Sequence, residues 1–402
     1  VRTGSPRRLR EINDRAAIAA LLREGPLTRA DLEYAIGLSK PATAQLLTRL
    51  ELDGILVKNG VRGGGRGPRA QLWSVNGSVA HVAAVDLRPQ TSEFAIADVT
   101  GRVLAEHSAP LPVGAGADVV GALRGALIAA ASKASLGLDS VRHVMIGVQG
   151  ALDPATGFLL SAPHLPGWSG FDLPGRLSRA LGVAVAVEND VNLVALEEMI
   201  SGRASELNDF VLVWLDEGVG GAVVVGRRLL KGATGSAGEI DWLRVPAESG
   251  GGRFGDLVDS PSIVALAGAH GITATTGPAA VRAAVDQGAG AFLSTLAHRV
   301  SLGVANLVSV LDPEVVLLCG EVGRAGGETL ARLVTDELHQ IVVPRTPVAQ
   351  AAASGKAVLT GALHSALAAA RHEVFGLTQS TAQAPVERHP NPAEELSSTA
   401  KN

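Results

Sequence analysis

The chain has 402 residues, 35 Lys and Arg against 39 Asp and Glu for a formal net charge of −4, and 47% hydrophobic but only 3% aromatic residues. That length leaves room for two or three domains with aliphatic cores, and the single cysteine, Cys319, excludes an internal disulfide framework and a multi-cysteine metal site. The arginine-rich first residues lack the apolar segment of a signal peptide, and no uncharged apolar run of about 18 residues marks a membrane span, so a cytoplasmic location is expected.

Charge is unevenly spread. Residues 1–76 hold 13 Lys and Arg and 7 Asp and Glu, a net +6, which leaves −10 for residues 77–402. A basic head on an acidic body makes DNA the first candidate partner of the head.

Between Thr28 and Asn76 the sequence reads as a winged helix-turn-helix. Thr28 is placed to N-cap a helix with Leu32, Ala35 and Ile36 on one face. Gly37 suits the positive φ of a tight turn, Ser39 N-caps the next helix, and Pro41 sits in its first turn, where a missing N–H costs nothing. Leu46, Leu47 and Leu50 form the apolar side of this second helix, leaving Lys40, Thr43, Ala44, Gln45, Thr48 and Arg49 for the other. The early residues of such a helix meet base edges in the major groove, where Gln45 suits adenine and Thr43 a base or phosphate. Ile55 to Lys58 and Ala70 to Val75 then pair as a hairpin whose tip carries Arg62, Arg66 and Arg69 among glycines, suited to phosphates or the minor groove. The candidate DNA contacts are therefore Arg29, Ser39, Lys40, Thr43, Gln45, Arg49, Arg62, Arg66 and Arg69. Each feature alone also fits a small helical subdomain with a solvated loop; their order and spacing favour the DNA reading.

The body, 79–375, alternates strand triplets with helices. Strands are predicted at Val79–Asp86, Glu93–Asp98, Val103–His107, Val141–Val148, Val183–Val187, Phe210–Leu215, Gly221–Val225, Val315–Cys319 and Val348–Ala352. Helices are predicted at 118–135, 190–201, 261–269, 278–287, 289–311, 328–340 and 357–372. The repeat of three strands, helix and strand predicts two related α/β lobes with a cleft between them. Residues 376–402, rich in Gln, Ser, Thr, Pro and Glu, are predicted to be a disordered tail.

Four ordered segments carry a family resemblance: G-V-Q-G-A-L-D-P-A-T-G at 147–157, A-P-H-L-P-G-W at 162–168, V-E-N-D-V-N at 187–192 and G-A-T-G-S-A-G-E-I at 232–240. Together they resemble the ROK family of sugar kinases and sugar-responsive repressors, over nearly the whole chain. The resemblance implies an actin-like, hexokinase-like (ribonuclease H-like) two-lobed body, and in the repressor branch a winged helix-turn-helix head. It implies that Asp190 matches the kinases' catalytic base and that Asn189 and Glu239 match contacts to sugar hydroxyls, with His164 where the family commonly has Asn. Asn189 and Asp190 also suit simple capping of the following helix.

The kinase machinery departs from the pattern. The family's D-x-G-G-T turn is replaced by Asp86-Leu87-Arg88-Pro89-Gln90-Thr91, which adds bulk and removes an N–H donor. The second phosphate segment, G-T-G-x-G-G in the kinases, is here Asp216-Glu217-Gly218-Val219-Gly220-Gly221, whose carboxylates repel phosphate. The segment at Cys319-Gly320-Glu321 also departs from the usual glycine pair. The family's zinc ligands, a His just after the G-E-I segment and a cysteine cluster, correspond to Asp241 and to Ser249–Asp256, which holds no cysteine. That His and a Glu at the position of Val258 contact sugar in the family, so the effector candidates here are His164, Asn189, Asp190, Glu239 and Asp241. The expectation is a dimeric, non-catalytic repressor of carbohydrate-related genes, without cofactor or metal, that binds an operator and a sugar-like effector. The alternatives are a sugar kinase with a regulatory head and a ligand-independent DNA-binding protein.

Overall fold

The structure, a computed structural model, describes residues 6–63, 69–114, 116–153, 156, 158–161, 165–246, 251–353 and 355–377. The head comprises α1 (Pro6–Glu24), a two-residue strand β1 (Leu27–Thr28), α2 (Arg29–Ile36), α3 (Lys40–Leu52) and the hairpin β2 (Leu56–Arg62) and β3 (Ala70–Val75). The sheet order is β1-β3-β2. Thr28 caps α2 reciprocally with Asp31: its Oγ1 accepts from the Asp31 N–H at 3.2 Å, and Asp31 Oδ2 accepts from the Thr28 N–H at 2.8 Å. Gly37 ends α2 in the left-handed region at φ 69°.

Three details of the head differ from expectation. Helix α1 is an addition; its Ala17, Ile18, Ala20 and Leu21 pack against Leu32, Leu46, Leu47 and Leu50. Ala35 is exposed, because Leu32 and the half-buried Ile36 already span the inner face of the short α2. Ser39 occupies the N-cap position of α3 in extended geometry, yet its side chain makes no capping bond.

The first lobe holds β4 (His81–Leu87), β5 (Ser92–Asp98), β6 (Val103–Ala109), α4 (Val119–Lys133), β7 (Val141–Val148), a small hairpin of β8 (Ala151–Leu152) and β9 (Leu159–Ser161), α5 (Leu173–Leu181) and β10 (Ala184–Asn189). After α6 (Asp190–Ile200) the second lobe holds β11 (Phe210–Leu215), β12 (Val219–Val225), β13 (Arg228–Leu229), β14 (Arg244–Val245), β15 (Gly252–Arg253) and α7 (Gly255–Val258). It continues with α8 (Ser260–Ala269), α9 (Gly277–Gln287), α10 (Gly290–Leu311), β16 (Val315–Cys319), α11 (Gly320–Ile341) and β17 (Val348–Gln350), and α12 (Ala357–Phe375) follows. The main sheets have orders β10-β7-β4-β5-β6 and β13-β12-β11-β16-β17. Each is an antiparallel strand triplet with two parallel strands added beyond its first member, so the lobes repeat one topology, as the strand triplets predicted.

Both sheets are buried on both faces, which explains their near-continuous aliphatic strands. In β4, Ala83, Val85 and Leu87 face a core with α4 and α5, while Val82 and Ala84 face α6 and α12. In β11, Val211, Val213 and Leu215 face α8 to α11, while Phe210 and Leu212 face the same α6–α12 layer. The two central helices therefore share one core with both sheets. α10 is long and apolar enough to cross a membrane, but 61% of its apolar window is buried, with Phe292, Leu293, Leu296 and Val300 in the second-lobe core. The expected helix at 328–340 is the second half of α11; Gly327, at φ 55° and ψ −152°, breaks it from a first half starting at Gly320. The tail expected from 376 lies outside the described residues from 378 onward.

The head is not separate from the body. Its core also contains Ala80, Val99 and Phe375, the last at the C-terminal end of α12. Arg371 of α12 donates to the carbonyls of Val99 and Thr100 at 2.9 Å each. α12 thus runs from the interlobe core into the head.

The closest helix approach in this layer is at Gly361, where a Cβ would fall 2.0 Å from the Leu193 carbonyl oxygen of α6. Gly361→Ala is expected to destabilise the protein by about 1–3 kcal/mol, since neither backbone can yield without repacking both sheets. Urea denaturation measures this; a loss within error would show that the two helices are less tightly fixed.

Candidate DNA-reading face and interlobe cleft

Along α3 the buried side is Thr43, Leu46, Leu47 and Leu50, and the exposed side carries Lys40, Pro41, Gln45 and Thr48, with Ser39 just before them. Thr43 therefore corrects the sequence reading. It is 0% exposed, and its hydroxyl donates to the Ser39 carbonyl at 3.1 Å, so it anchors the first turn of the helix and does not reach a base. A threonine tolerates this position because its hydroxyl is satisfied by the helix itself.

Several head cations are held by head carboxylates. Arg62 Nη1 lies 2.8 Å from Asp31 Oδ2, tying the wing to α2, and Lys58 lies 2.8 Å from Glu51 and 5.3 Å from the Trp73 ring centroid. Arg29 lies 3.2 Å from Glu33, and Arg49 pairs with Asp14 of α1. These arginines serve the head's internal geometry as well as its positive surface, although Arg29 and Arg62 keep 55% and 54% of their side-chain surface exposed. Lys40 and Arg69 have no ion-pair partner among the described residues. Arg66 and His164 lie outside the described residues.

In the body, Asp86, Gly147 and Glu188 stand side by side on β4, β7 and β10, at the carboxyl ends of parallel strands, the edge of an α/β sheet where ligands bind. Asn189 follows as the N-cap of α6. Its Oδ1 accepts from the N–H groups of Val191 and Asn192 at 2.9 and 3.2 Å, and its Nδ2 donates to the Gly150 carbonyl at 3.0 Å. Capping is therefore the contact it makes here. Asp190 is 7% exposed, and burial, together with the like charge of Asp86, pushes its carboxyl up to about 7, while N–H bonding and Arg88 oppose the shift. Arg88 turns back onto Asp86, with Nε at 2.8 Å and Nη2 at 2.5 Å. An interaction absent from the sequence reading is Glu188 with Lys231 at 2.5 Å; Glu188 Oε1 also accepts from the Asn192 side-chain amide at 2.9 Å. Glu239 is raised by burial and by Asp241; Asp241 is raised by burial, against the pull of Arg253. Val258, at 0% exposure, belongs to the second-lobe core.

The facing side of the cleft is crowded and acidic. Asp216 Oδ2 accepts from the Glu321 N–H at 3.3 Å and its Oδ1 from the Glu217 N–H at 3.0 Å, and burial raises its carboxyl. Glu321 pairs with Arg324 at 2.8 Å. The cavity there is lined by Arg88, Trp214, Gly320, Arg324 and Gln350. Nor do the residues corresponding to the family's zinc site fit that metal. Asp241 and Asp256 converge, but they converge on the guanidinium of Arg253, with no thiolate or imidazole beside them among the described residues.

A helix-turn-helix with a hairpin wing, joined to a duplicated body of the actin-like, hexokinase-like type, defines the class. The ROK family model matches residues 82–369, and the chain belongs to that family. Over 364 residues it is 23% identical to a xylose repressor of Caldicellulosiruptor bescii, covering 85% of this chain and 90% of that protein. It is 28% identical over 223 residues to a glucokinase of Halalkalibacterium halodurans, covering 50% of this chain and 67% of that one. Among solved structures, a ROK family transcriptional regulator described as a homolog of the E. coli MLC protein superposes with a TM-score of 0.70 at 19% identity, covering 89% of this chain and 96% of that one.

The upward shift of Asp190 has a defined sign. Its folded carboxyl lies above the ordinary 3.8, so the stability it contributes is complete below about pH 4 and lost as pH rises toward about 7. Asp190→Asn is expected to remove that dependence and to exceed the parent protein in stability at pH 8 by on the order of 2–4 kcal/mol. Denaturation midpoints of both proteins at pH 5 and pH 8 check this; parallel behaviour would mean that Asp190 is solvated.

Proposed function

We propose that this chain is a DNA-binding transcriptional regulator, a repressor of carbohydrate-related genes, whose kinase-like body serves as sensor and dimeriser rather than as a catalyst. The observation that carries the reading is the exposed face of α3, with Lys40, Gln45 and Thr48 on a well-packed helix and no partner element across it among the described residues. Such a face fits the major groove, with the wing bearing Arg62, Arg66 and Arg69 beside the phosphates. The match to a protein named a repressor extends over more residues than the body contains, whereas the match to a glucokinase covers half of the chain. The head is thus part of the likeness to the repressor.

Against phosphoryl transfer stand the cleft's own residues. Arg88 is spent on Asp86, and Asp216 accepts the Glu321 N–H where phosphates need N–H donors. The sugar side retains Asn189, Asp190 and Glu239, with Asp241 adjacent, and a sugar or sugar derivative is the effector this set suits. Closure on it would act on α6, whose first residue is Asp190, and through α12 on Phe375 in the head core. A two-fold operator requires a homodimer, and a cytoplasmic location belongs to the same reading.

Footprinting on genomic fragments tests the head. Lys40→Ala with Gln45→Ala is expected to weaken specific binding by tenfold or more, about 1–3 kcal/mol per lost base contact. Thr43→Ala is expected instead to cost about 1 kcal/mol of stability by losing a helix-internal hydrogen bond. Specific binding that survives the double substitution would sink the assignment of α3.

An ATP-coupled assay over hexoses and amino sugars tests the body, with no turnover expected. Turnover abolished by Asp190→Asn would reinstate the kinase. Thermal-shift screening of sugars and sugar phosphates separates a sensor from a ligand-independent DNA-binding protein, for which no compound would raise the midpoint.

A further inference from the structure

Residues 241–246 and 251–259 pack against one another at the rim of the second lobe. Glu239 enters them from a tightly fixed position: Gly238 sits at φ +100° against β12, where a Cβ would fall 2.2 Å from the Gly221 carbonyl oxygen, and the Gly221 N–H donates to the Gly238 carbonyl at 2.8 Å. Beyond Glu239 come one 3-10 turn at Ile240–Trp242, the two-residue strands β14 and β15, and the single turn of α7. Elements this short make few backbone hydrogen bonds, so side chains must hold them in register.

One side chain, on β15, reaches both the 3-10 turn and α7. Arg253 Nη2 lies 3.6 Å from Asp241 Oδ2 and 3.1 Å from Asp256 Oδ1, and its Nε lies 3.3 Å from the same Asp256 oxygen. The Asp256 Oδ2 accepts the Arg253 backbone N–H at 3.3 Å. The guanidinium carbon stands 4.5 Å from the centroid of the Trp242 ring, within cation–π range. The Gly255 backbone closes in from the other side, where a Cβ would meet Asp241 Oδ1 at 1.6 Å. Asp259 also acts on Asp241 electrostatically, so without a cation three carboxylates would repel one another here.

We infer that the Arg253 guanidinium replaces a metal ion as the cationic cross-link of this loop, clamping Asp241, Trp242 and Asp256 and so positioning Glu239 at the rim of the cleft. A planar guanidinium matches this role: it offers forked donors to two carboxylates and a flat face to an indole. Zinc is excluded by the same residues, because two carboxylates and an indole do not make its tetrahedral nitrogen and sulfur site. The consequence is a loop whose order needs no metal but weakens with salt. Only the last step, the placing of Glu239 for an effector, rests on the sensor reading above.

Hydrogen-exchange mass spectrometry and elemental analysis of the purified full chain test the clamp without DNA or sugar, so its failure is distinguishable from failure of the proposed function. The parent protein is expected to carry no stoichiometric zinc, to show unchanged exchange in 251–259 with EDTA, and to exchange faster there as NaCl is raised. Arg253→Met is expected to speed exchange in that segment about tenfold or more and to abolish its salt dependence. Arg253→Lys is expected to restore part of the protection, because charge without the planar fork keeps half of the arrangement. Should Arg253→Met fail to fold, Asp256→Asn removes the second arm, with the same change in salt dependence expected. Bound zinc whose removal by EDTA loosens the segment, or exchange indifferent to Arg253→Met and to salt, would overturn the inference.

Discussion

The packing of α6 against α12 between the two sheets is the constraint on which the rest depends. Both helices belong to one core with Ala84 and Ala97 from the first sheet and Leu212 and Leu317 from the second. Small residues make it possible. Gly147 leaves room for Val358 and Leu193, and Gly361 lets the α12 backbone touch α6. Around this apolar contact lie polar ties: His364 to Glu197 at 3.1 Å between the helices, Lys356 to Glu106 at 2.5 Å, and Glu373 to His143 at 2.7 Å. The N-terminus of α6 places Asp190 in the cleft, and the C-terminus of α12 places Phe375 in the head. The two functional regions are the ends of one packed layer, a more direct connection than a linker between independent domains.

The polar groups of the cleft are bound to one another. Strand ends of a parallel sheet converge wherever the fold occurs, so ligand chemistry is decided by the side chains placed there. Here Arg88 closes onto Asp86, Asp216 links to the Glu321 backbone, and Glu188 holds Lys231. These groups satisfy one another's charges and hydrogen bonds. The head follows a related logic. Part of its positive charge is organised by internal pairs such as Arg62 with Asp31 and Arg49 with Asp14, which fix the wing and α1 against the helices.

Much of this was legible from residue order. Strands Val141–Val148, Phe210–Leu215 and Val315–Cys319 occur at their expected limits, since short aliphatic runs bounded by Gly, Asp and Pro leave few alternatives. Helix α5 was legible but passed over: Asp172 accepts the Gly175 N–H as its N-cap, Pro174 lies in its first turn, and Gly182 ends it in the left-handed region. Thr43 was misread because a polar residue beside Lys40 and Gln45 suggests solvent, whereas the helical position directs it inward onto the Ser39 carbonyl. Arg253 was passed over because nothing near it in sequence announces that Asp241 and Trp242, more than ten residues earlier, return to its guanidinium.

What the sequence determined by itself is therefore local or additive: the Thr28 cap and Gly37 turn of the head, the aliphatic strands, the charge contrast between head and body, and the absence of cysteine ligands. These depend on hydrogen bonds and burial patterns within a few residues, or on composition alone. Tertiary structure alone decided which face of α3 is exposed, that Phe375 completes the head core, that burial and then the charge of Asp86 raise the Asp190 carboxyl, and that one arginine gathers Asp241, Trp242 and Asp256. Each of these requires residues distant in the chain to be brought within a few ångströms, and only the packing of α6 and α12 between the sheets, with the chain folded around them, sets those distances.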